Sequence, residues 1–347
     1  MTTTPTAKEW FEKGLAFLRA KEYEEAVKAF ENAIQLTPAL AEAWANKGNA
    51  LNAIDRCEEA IDAYDEAIRI NPCLTEAWLN KGIILNNQCK FDEAVKVIDE
   101  AIRLSPQDAD TWYNKGITLQ QAGKPEDAVK AYDETLKINP GNAQAWNNRG
   151  VALQELDKTE DAVTSFSEAT RLNPDYVKAW INKGDALADD SRFEDAVKAY
   201  DRALTIEPQN IEALMGRGNA FCEMADYRKA IAVYDEILKS DDDNQDALLG
   251  KGIAVARSGE PRDALRFIIR ATELEPRFSD AWYRKGAILA ALGKHEEAVA
   301  AYKHVVEIVP DHAKAWYNMS LSLTQLKKHE EARKAHEQAV KLNPEYK

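Results

Sequence analysis

Long apolar runs are missing from this 347-residue chain, which nowhere approaches the roughly 18 consecutive apolar residues of a membrane-crossing helix. Its opening residues 1–7, MTTTPTA, carry neither a basic patch nor an apolar segment, so we expect no signal peptide and a cytoplasmic location. Cysteine is scarce. Four residues cannot build a disulfide framework, and Cys57, Cys73, Cys89 and Cys222 include no C-x-x-C pair, so they read as incidental reduced thiols. With 12 Pro and 15 Gly, collagen-like and low-complexity chains are excluded. Basic excess is lacking too: 59 acidic against 45 basic residues give a net charge of −14. Such a chain repels phosphate backbones, which argues against nucleic-acid and anionic-membrane partners. All five histidines lie beyond residue 294 without H-x-x-x-H spacing, which leaves no candidate metal site. Gly216-x-Gly218 and Gly250-x-Gly252 lack the strand-loop-helix context of a phosphate loop. No Ser/His/Asp or Cys/His constellation stands on separate loops, so we expect neither an enzyme nor a cofactor.

What the chain does have is a period. All eight tryptophans fall on one ladder with a step of 34: Trp10, Trp44, Trp78, Trp112, Trp146, Trp180, Trp282 and Trp316, with Leu214 and Leu248 at the two missing rungs. Four residues after each rung stands a glycine, except at Ser320, and sixteen after it an alanine, from Ala26 to Ala332. Nine units close with a proline, and Asp242 takes its place in the other. The register is a short lead, 1–6, then a single array of ten repeats over 7–346: 7–40, 41–74, 75–108, 109–142, 143–176, 177–210, 211–244, 245–278, 279–312 and 313–346. Within each, apolar residues recur at helical spacing twice. Trp44, Gly48 and Leu51 share one face of a first helix, and Ala60, Tyr64, Ala67 and Ile68 share one face of a second. The proline is expected to end the second helix, whereas Pro125 and Pro261 suit the first position of one. The fold class is all-α, a solenoid of helix pairs.

The W-x3-G spacing, the alanine, an aromatic such as Phe30, Tyr64 or Tyr132, and the closing proline resemble the tetratricopeptide repeat family over 340 of the 347 residues. The resemblance implies antiparallel helix pairs in a right-handed superhelix, with the first helices lining a concave groove that binds peptides or partner domains. At the two ends Glu9, Arg333 and His336 replace residues that elsewhere face a neighbouring repeat, so the array is expected to cap itself. We expect no separate solvating helix after the last repeat, which keeps open a homo-oligomer through end faces.

On the first helices, two residues after the rung, runs Asn46, Asn80, Asn114, Asn148 and Asn182, resuming at Asn318; Gly216, Gly250 and Arg284 interrupt it. Further along come Asn52, Asn86, Gln120 and Gln154. In the family this position faces the groove. Carboxamides both donate and accept, which suits a ligand held by its main chain; the alternative is that asparagine serves solubility or capping there. Glu155, Asp185, Asp189 and Glu223 are expected near the same groove, with Glu42, Glu76, Asp110 and Glu212 at its rim. Repeats 1–7 sum to −17 and the rest of the chain to +3, which favours a neutral or basic partner segment. The carboxylate clamp of chaperone-binding members would need a lysine directly after the rung; Phe11, Ala45, Leu79, Tyr113 and their equivalents are never basic. Lys or Arg recurs one position after the asparagine row, from Lys13 to Lys285, and reads as a packing position whose stem covers the neighbouring repeat and whose charge reaches water. The expected activity is non-catalytic: a scaffold for an extended peptide, or else a self-associating solenoid or a regulatory subunit of an enzyme complex.

Overall fold

The computed structural model describes residues 5–347, in which the chain forms twenty α-helices, one 3-10 turn at Pro344–Tyr346 and no strand. Of the expected lead 1–6, residues 1–4 lie outside the described residues. The chain divides into two compact units, Met1–Pro174 and Asp175–Lys347. The first holds α1 (Ala7–Ala20), α2 (Tyr23–Leu36), α3 (Ala41–Asn52), α4 (Cys57–Ile70), α5 (Thr75–Asn87), α6 (Phe91–Leu104), α7 (Ala109–Gln121), α8 (Pro125–Ile138), α9 (Ala143–Gln154) and α10 (Thr159–Leu172). The second holds α11 (Val177–Asp189), α12 (Phe193–Ile206), α13 (Ile211–Glu223), α14 (Tyr227–Ser240), α15 (Gln245–Arg257), α16 (Pro261–Leu274), α17 (Ser279–Ala291), α18 (His295–Ile308), α19 (Ala313–Gln325) and α20 (His329–Leu342). Odd-numbered helices start at each repeat's first residue and even-numbered ones sixteen further on.

Each helix pair is an αα-hairpin turned by one residue in the left-handed region. That residue is glycine at Gly123, Gly259 and Gly293 and non-glycine at Lys21, Asp55, Cys89, Asp157, Ser191, Ala225 and Lys327. Two reverse hydrogen bonds close the turn, as from Lys21 N to Leu18 O at 3.0 Å and Glu22 N to Phe17 O at 2.9 Å, so carbonyls orphaned at the helix end are satisfied. Pro125 and Pro261 do open their helices. The closing proline acts one residue upstream of itself: Thr37, before Pro38, is extended at φ −139°, as steric clash with a proline ring demands. Asp241 adopts the same shape, φ −146°, before Asp242. The stop is therefore built into the turn, and the proline reinforces it.

Packing explains the invariant small residues. A Cβ built on Gly14, Gly48, Gly82, Gly116, Gly150, Gly184, Gly218, Gly252 or Gly286 would lie within 2.4–2.8 Å of the ring or isoleucine that the second helix presses onto it. Those partners, among them Phe30, Tyr64, Tyr132, Phe166 and Tyr200, are themselves fully buried. The tryptophans add a directional bond. Each indole N–H of Trp44, Trp78, Trp112, Trp146 and Trp282 donates to the carbonyl of the proline closing the preceding repeat at 3.0 Å, and Trp316 does so at 2.9 Å. Leu214 and Leu248 have no such donor, so two successive junctions of the second unit lack this tether.

The recurring base beside the asparagine row has a partner that sequence reasoning assigned to water. Lys47 reaches Glu31 at 2.9 Å, Lys115 reaches Asp99 at 2.6 Å and Arg149 reaches Asp133 at 2.7 Å, each on the preceding repeat's second helix. Lys251 and Asp235 repeat this in the second unit at 2.5 Å. At Lys285 the equivalent position holds Ile269, and burial against Trp282 lowers the lysine's pKa. Glu9, expected only as a polar end residue, closes a capping box with Thr6 at the start of α1. Arg333 pairs with Glu330 at 2.8 Å and Glu337 at 2.5 Å. Among the described residues no helix is long and apolar enough to cross a membrane.

Candidate functional site

The amide residues sit on the first helices, and their neighbours one repeat back decide what each amide does. Asn80 Nδ2 donates to Asn49 Oδ1 at 2.9 Å, and the same oxygen takes the Tyr64 hydroxyl at 2.7 Å. Asn148 Nδ2 donates to the Tyr113 hydroxyl at 3.1 Å, while its own oxygen accepts from Asn147 at 3.2 Å. In the second unit Asn318 donates to the Tyr283 hydroxyl at 2.9 Å. Where the preceding repeat supplies only apolar side chains at those two positions, the amide folds back onto its own helix. Asn46, behind which stand Phe11 and Leu15, donates to Glu42 O at 2.8 Å. Asn114, behind which stand Leu79 and Ile83, donates to Asp110 O, also at 2.8 Å. The row is therefore a set of local bonds of two kinds. Asn182 is buried in the second unit.

Further along the first helices the amides cross between repeats. Asn86 Nδ2 donates to Gln121 Oε1 at 2.8 Å, and Gln120 Nε2 donates to Glu155 Oε1 at 2.8 Å while Gln120 Oε1 accepts the Tyr132 hydroxyl at 3.0 Å. Asn52 is exposed and Gln154 half-buried. Asn86 is buried, yet its carbonyl oxygen has no hydrogen-bond partner. Sequence reasoning missed Asn49, Tyr113 and Tyr283 as members of this network. Tyr113 and Tyr283 share the position directly after the rung, and that shared register is the signal that could have exposed them.

The acidic residues assort by unit. Glu155 belongs to the first, where Gln120 holds it. In the second, Asp185, Asp189 and Glu223 line one cavity of about 370 Å³ together with Tyr200, Gly216 and Asn219. The Tyr200 hydroxyl donates to Asp185 Oδ1 at 2.7 Å, and the Tyr234 hydroxyl donates to Asn219 Oδ1 at 2.7 Å. Glu223 accepts from Arg257 at 3.1 Å. Burial pushes the Asp185 pKa up, against the pull of the Tyr200 hydrogen bond and with further push from Glu212 and Asp189. A carboxyl with a raised folded-state pKa binds more protons folded than unfolded, so stability falls as pH climbs from the unfolded value of about 3.9 through the folded one. Asp185→Asn keeps an acceptor for Tyr200, as Asn49 does for Tyr64, and removes the charge. We expect it to raise the thermal midpoint at pH 7 and to leave it unchanged at pH 3, measured by circular dichroism; an equal rise at both would contradict the ionisation argument.

Among the described residues no His, Cys, Asp and Glu group could hold a metal ion. Family models described as tetratricopeptide repeat match residues 11–72, 75–108, 109–142, 131–164, 150–211, 187–251 and 277–345. No curated protein matches the chain. Among solved structures, a tetratricopeptide repeat protein from Parabacteroides merdae is 17% identical with a TM-score of 0.59, over 72% of this chain and 98% of its own. The Cut9–Hcn1 hetero-tetramer of the APC/C is 14% identical with a TM-score of 0.53, over 97% of this chain and 73% of its own. YrrB, described as a TPR protein with an unusual peptide-binding site, is 26% identical with a TM-score of 0.42, over 52% of this chain and 94% of its own.

Proposed function

This chain belongs to the tetratricopeptide repeat family of protein-interaction scaffolds, and from that premise we propose that it is a non-catalytic scaffold gripping an extended polypeptide by its main chain. The ten repeats of 7–346 are its interaction element, and the amides of the first helices are the gripping groups. The observation that supports this reading is the unpaired Oδ1 of Asn86, buried inside the amide network. A buried acceptor without a donor is costly, on the order of 1–3 kcal/mol, and is uncommon enough to call for an explanation. The oxygen is enclosed in the free array, and a peptide N–H supplies the missing donor once the Asn86 side chain turns outward. Asn80 and Asn148 are bonded across repeats and serve the array's own cohesion, whereas Asn46 and Asn114 tie no repeats together and are the amides available to a ligand.

The test separates binding from cohesion. Unstructured peptides that bind the intact chain are identified on a peptide array, and their affinities are measured by fluorescence anisotropy for the parent and for Asn86→Leu. The variant removes an acceptor that has no partner in the free protein together with the Nδ2 donor to Gln121, so its melting midpoint should fall slightly, and affinities are compared at a temperature where both proteins are fully folded. Its affinity should fall about 5–30-fold, the equivalent of ~1–2 kcal/mol for one lost hydrogen bond. Unchanged affinity would remove the amide network from the binding mechanism.

A further inference from the structure

We infer that the first-helix face of Asp175–Lys347 carries a bipolar socket, which seats a basic side chain among Asp185, Asp189 and Glu223 and an acidic side chain one repeat further on, beside Arg284. The inference rests on the peptide-binding reading for its class of ligand and adds the charge pattern that the ligand must carry.

Two cavities adjoin here. The first, of about 370 Å³, holds the three carboxylates. The second, of about 130 Å³, is lined by Gly250, Ile253, Arg257 and Arg284 and shares Asn219 and Glu223 with the first. Glu223 lies in both linings, and its ion pair at 3.1 Å with Arg257, which lines the second cavity alone, marks the passage from acid to base. The two cavities open where the asparagine row is broken. Gly216 lines one and Gly250 the other, and each is held to glycine by the tyrosine of the preceding repeat: a Cβ would stand 2.5 Å from Tyr200 at Gly216 and 2.7 Å from Tyr234 at Gly250. Where other repeats place a carboxamide, these two leave a recess whose walls are charged.

The charges are arranged for one kind of partner. Asp185, half-buried, keeps a carboxylate where Asn49 and Asn219 show that an amide also satisfies the tyrosine. On the far side Arg284 occupies the asparagine position itself, with its guanidinium over Tyr283 at 5.9 Å and Lys314 near the same ring. Basic groups opposite the acids make this more than an acidic patch: a purely cationic ligand would meet Arg284, and a purely anionic one would meet Asp189. Neighbouring first helices pack about 8–10 Å apart. An extended chain advances about 3.3 Å per residue. One repeat therefore spans three residues, and the matching ligand has the form Arg-x-x-Glu.

Fluorescein-labelled twelve-residue Gly/Ser peptides containing Arg-Gly-Gly-Glu, Arg-Gly-Gly-Gln, Gln-Gly-Gly-Glu or Gln-Gly-Gly-Gln are titrated with the full chain at low salt. The doubly charged peptide should bind at least tenfold tighter than either singly charged one. Arg284→Glu, at an exposed site, should abolish that advantage and transfer it to Arg-Gly-Gly-Lys. Asp189→Asn combined with Glu223→Gln should remove the dependence on the peptide's arginine. Equal affinity for the charged and neutral peptides, an unaltered preference in Arg284→Glu, or no binding by any peptide would overturn the socket. The Asn86→Leu chain separates the two readings. If neutral peptides bind and that variant weakens them while charge makes no difference, the amide reading stands alone. If the charge preference persists undiminished there, the socket stands without the amides.

Discussion

Tyr132→Ala is expected to lower the stability of Met1–Pro174 by about 3–5 kcal/mol, the range for emptying a fully buried aromatic site. The ring is 0% exposed and stands 6.0 Å from Tyr113, and its hydroxyl donates to Gln120 at 3.0 Å. Removing it leaves a cavity and an unpaired amide acceptor together. Gly116→Ala attacks the same contact from the other side, since the new Cβ would lie 2.4 Å from Tyr132 Cε1. The ring cannot withdraw from a packed interior, so overpacking should cost about 1–3 kcal/mol. The two changes share one space. In the double variant the alanine fills part of what the tyrosine vacated, and the combined loss should be smaller than the two single losses added. Urea titrations of the four proteins, followed by circular dichroism, measure this. Additive losses would mean that glycine and tyrosine are required independently of one another.

Trp112→Ala carries the second large effect, about 2–4 kcal/mol, reduced from the fully buried figure because the indole is only half-buried. It removes both the ring and the N–H bonded to Pro106 O at 3.0 Å. Trp112→Phe keeps most of the apolar surface and deletes the donor, which isolates the bond at about 1 kcal/mol. The chain already contains the donor-free state at Leu214 and Leu248, where the helices still form. The bond therefore sets how one repeat sits on the next, while formation of each helix pair does not depend on it. Melting curves of the phenylalanine and alanine variants side by side check the division. Equal losses would assign the whole effect to the hydrogen bond.

The period, the helix starts and the need for glycine and alanine were legible because each rests on local spacing that repeats ten times. Proline at the head of α8 and α16 was legible for the same reason. Several features were not. Seven of the ten hairpin turns place a non-glycine residue in the left-handed region, and nothing in Lys21, Asp55 or Ala225 announces it. The geometry comes from the closing hydrogen bonds, with residue preference overridden. The Trp-to-Pro bond was hidden although both residues were recognised, because spacing says that two residues recur and says nothing about which atom faces which. The asparagine row is the clearest case. Identical residues at identical register do two different things, since Asn80 finds Asn49 one repeat back and Asn114 finds only Leu79 and Ile83. A row read by residue type looks uniform; read against what stands behind each member, it is not. The cavities of the second unit were likewise hidden at Gly216 and Gly250, which the sequence shows only as interruptions.

The two untethered junctions of Asp175–Lys347 have a mechanical meaning. On either side of repeat 7 the indole bond is absent, and the helices meet instead through a glycine laid flat against a tyrosine ring, supplemented by long, flexible ion pairs such as Arg217 to Asp201 at 3.0 Å. A hydrogen bond resists rotation as well as separation, whereas a smooth apolar contact resists separation alone. Repeat 7 is thus mounted between two bearings. Torsion applied along this unit is absorbed there as sliding, and repeats 8 to 10, joined to one another by the Trp282 and Trp316 bonds, turn as a rigid block.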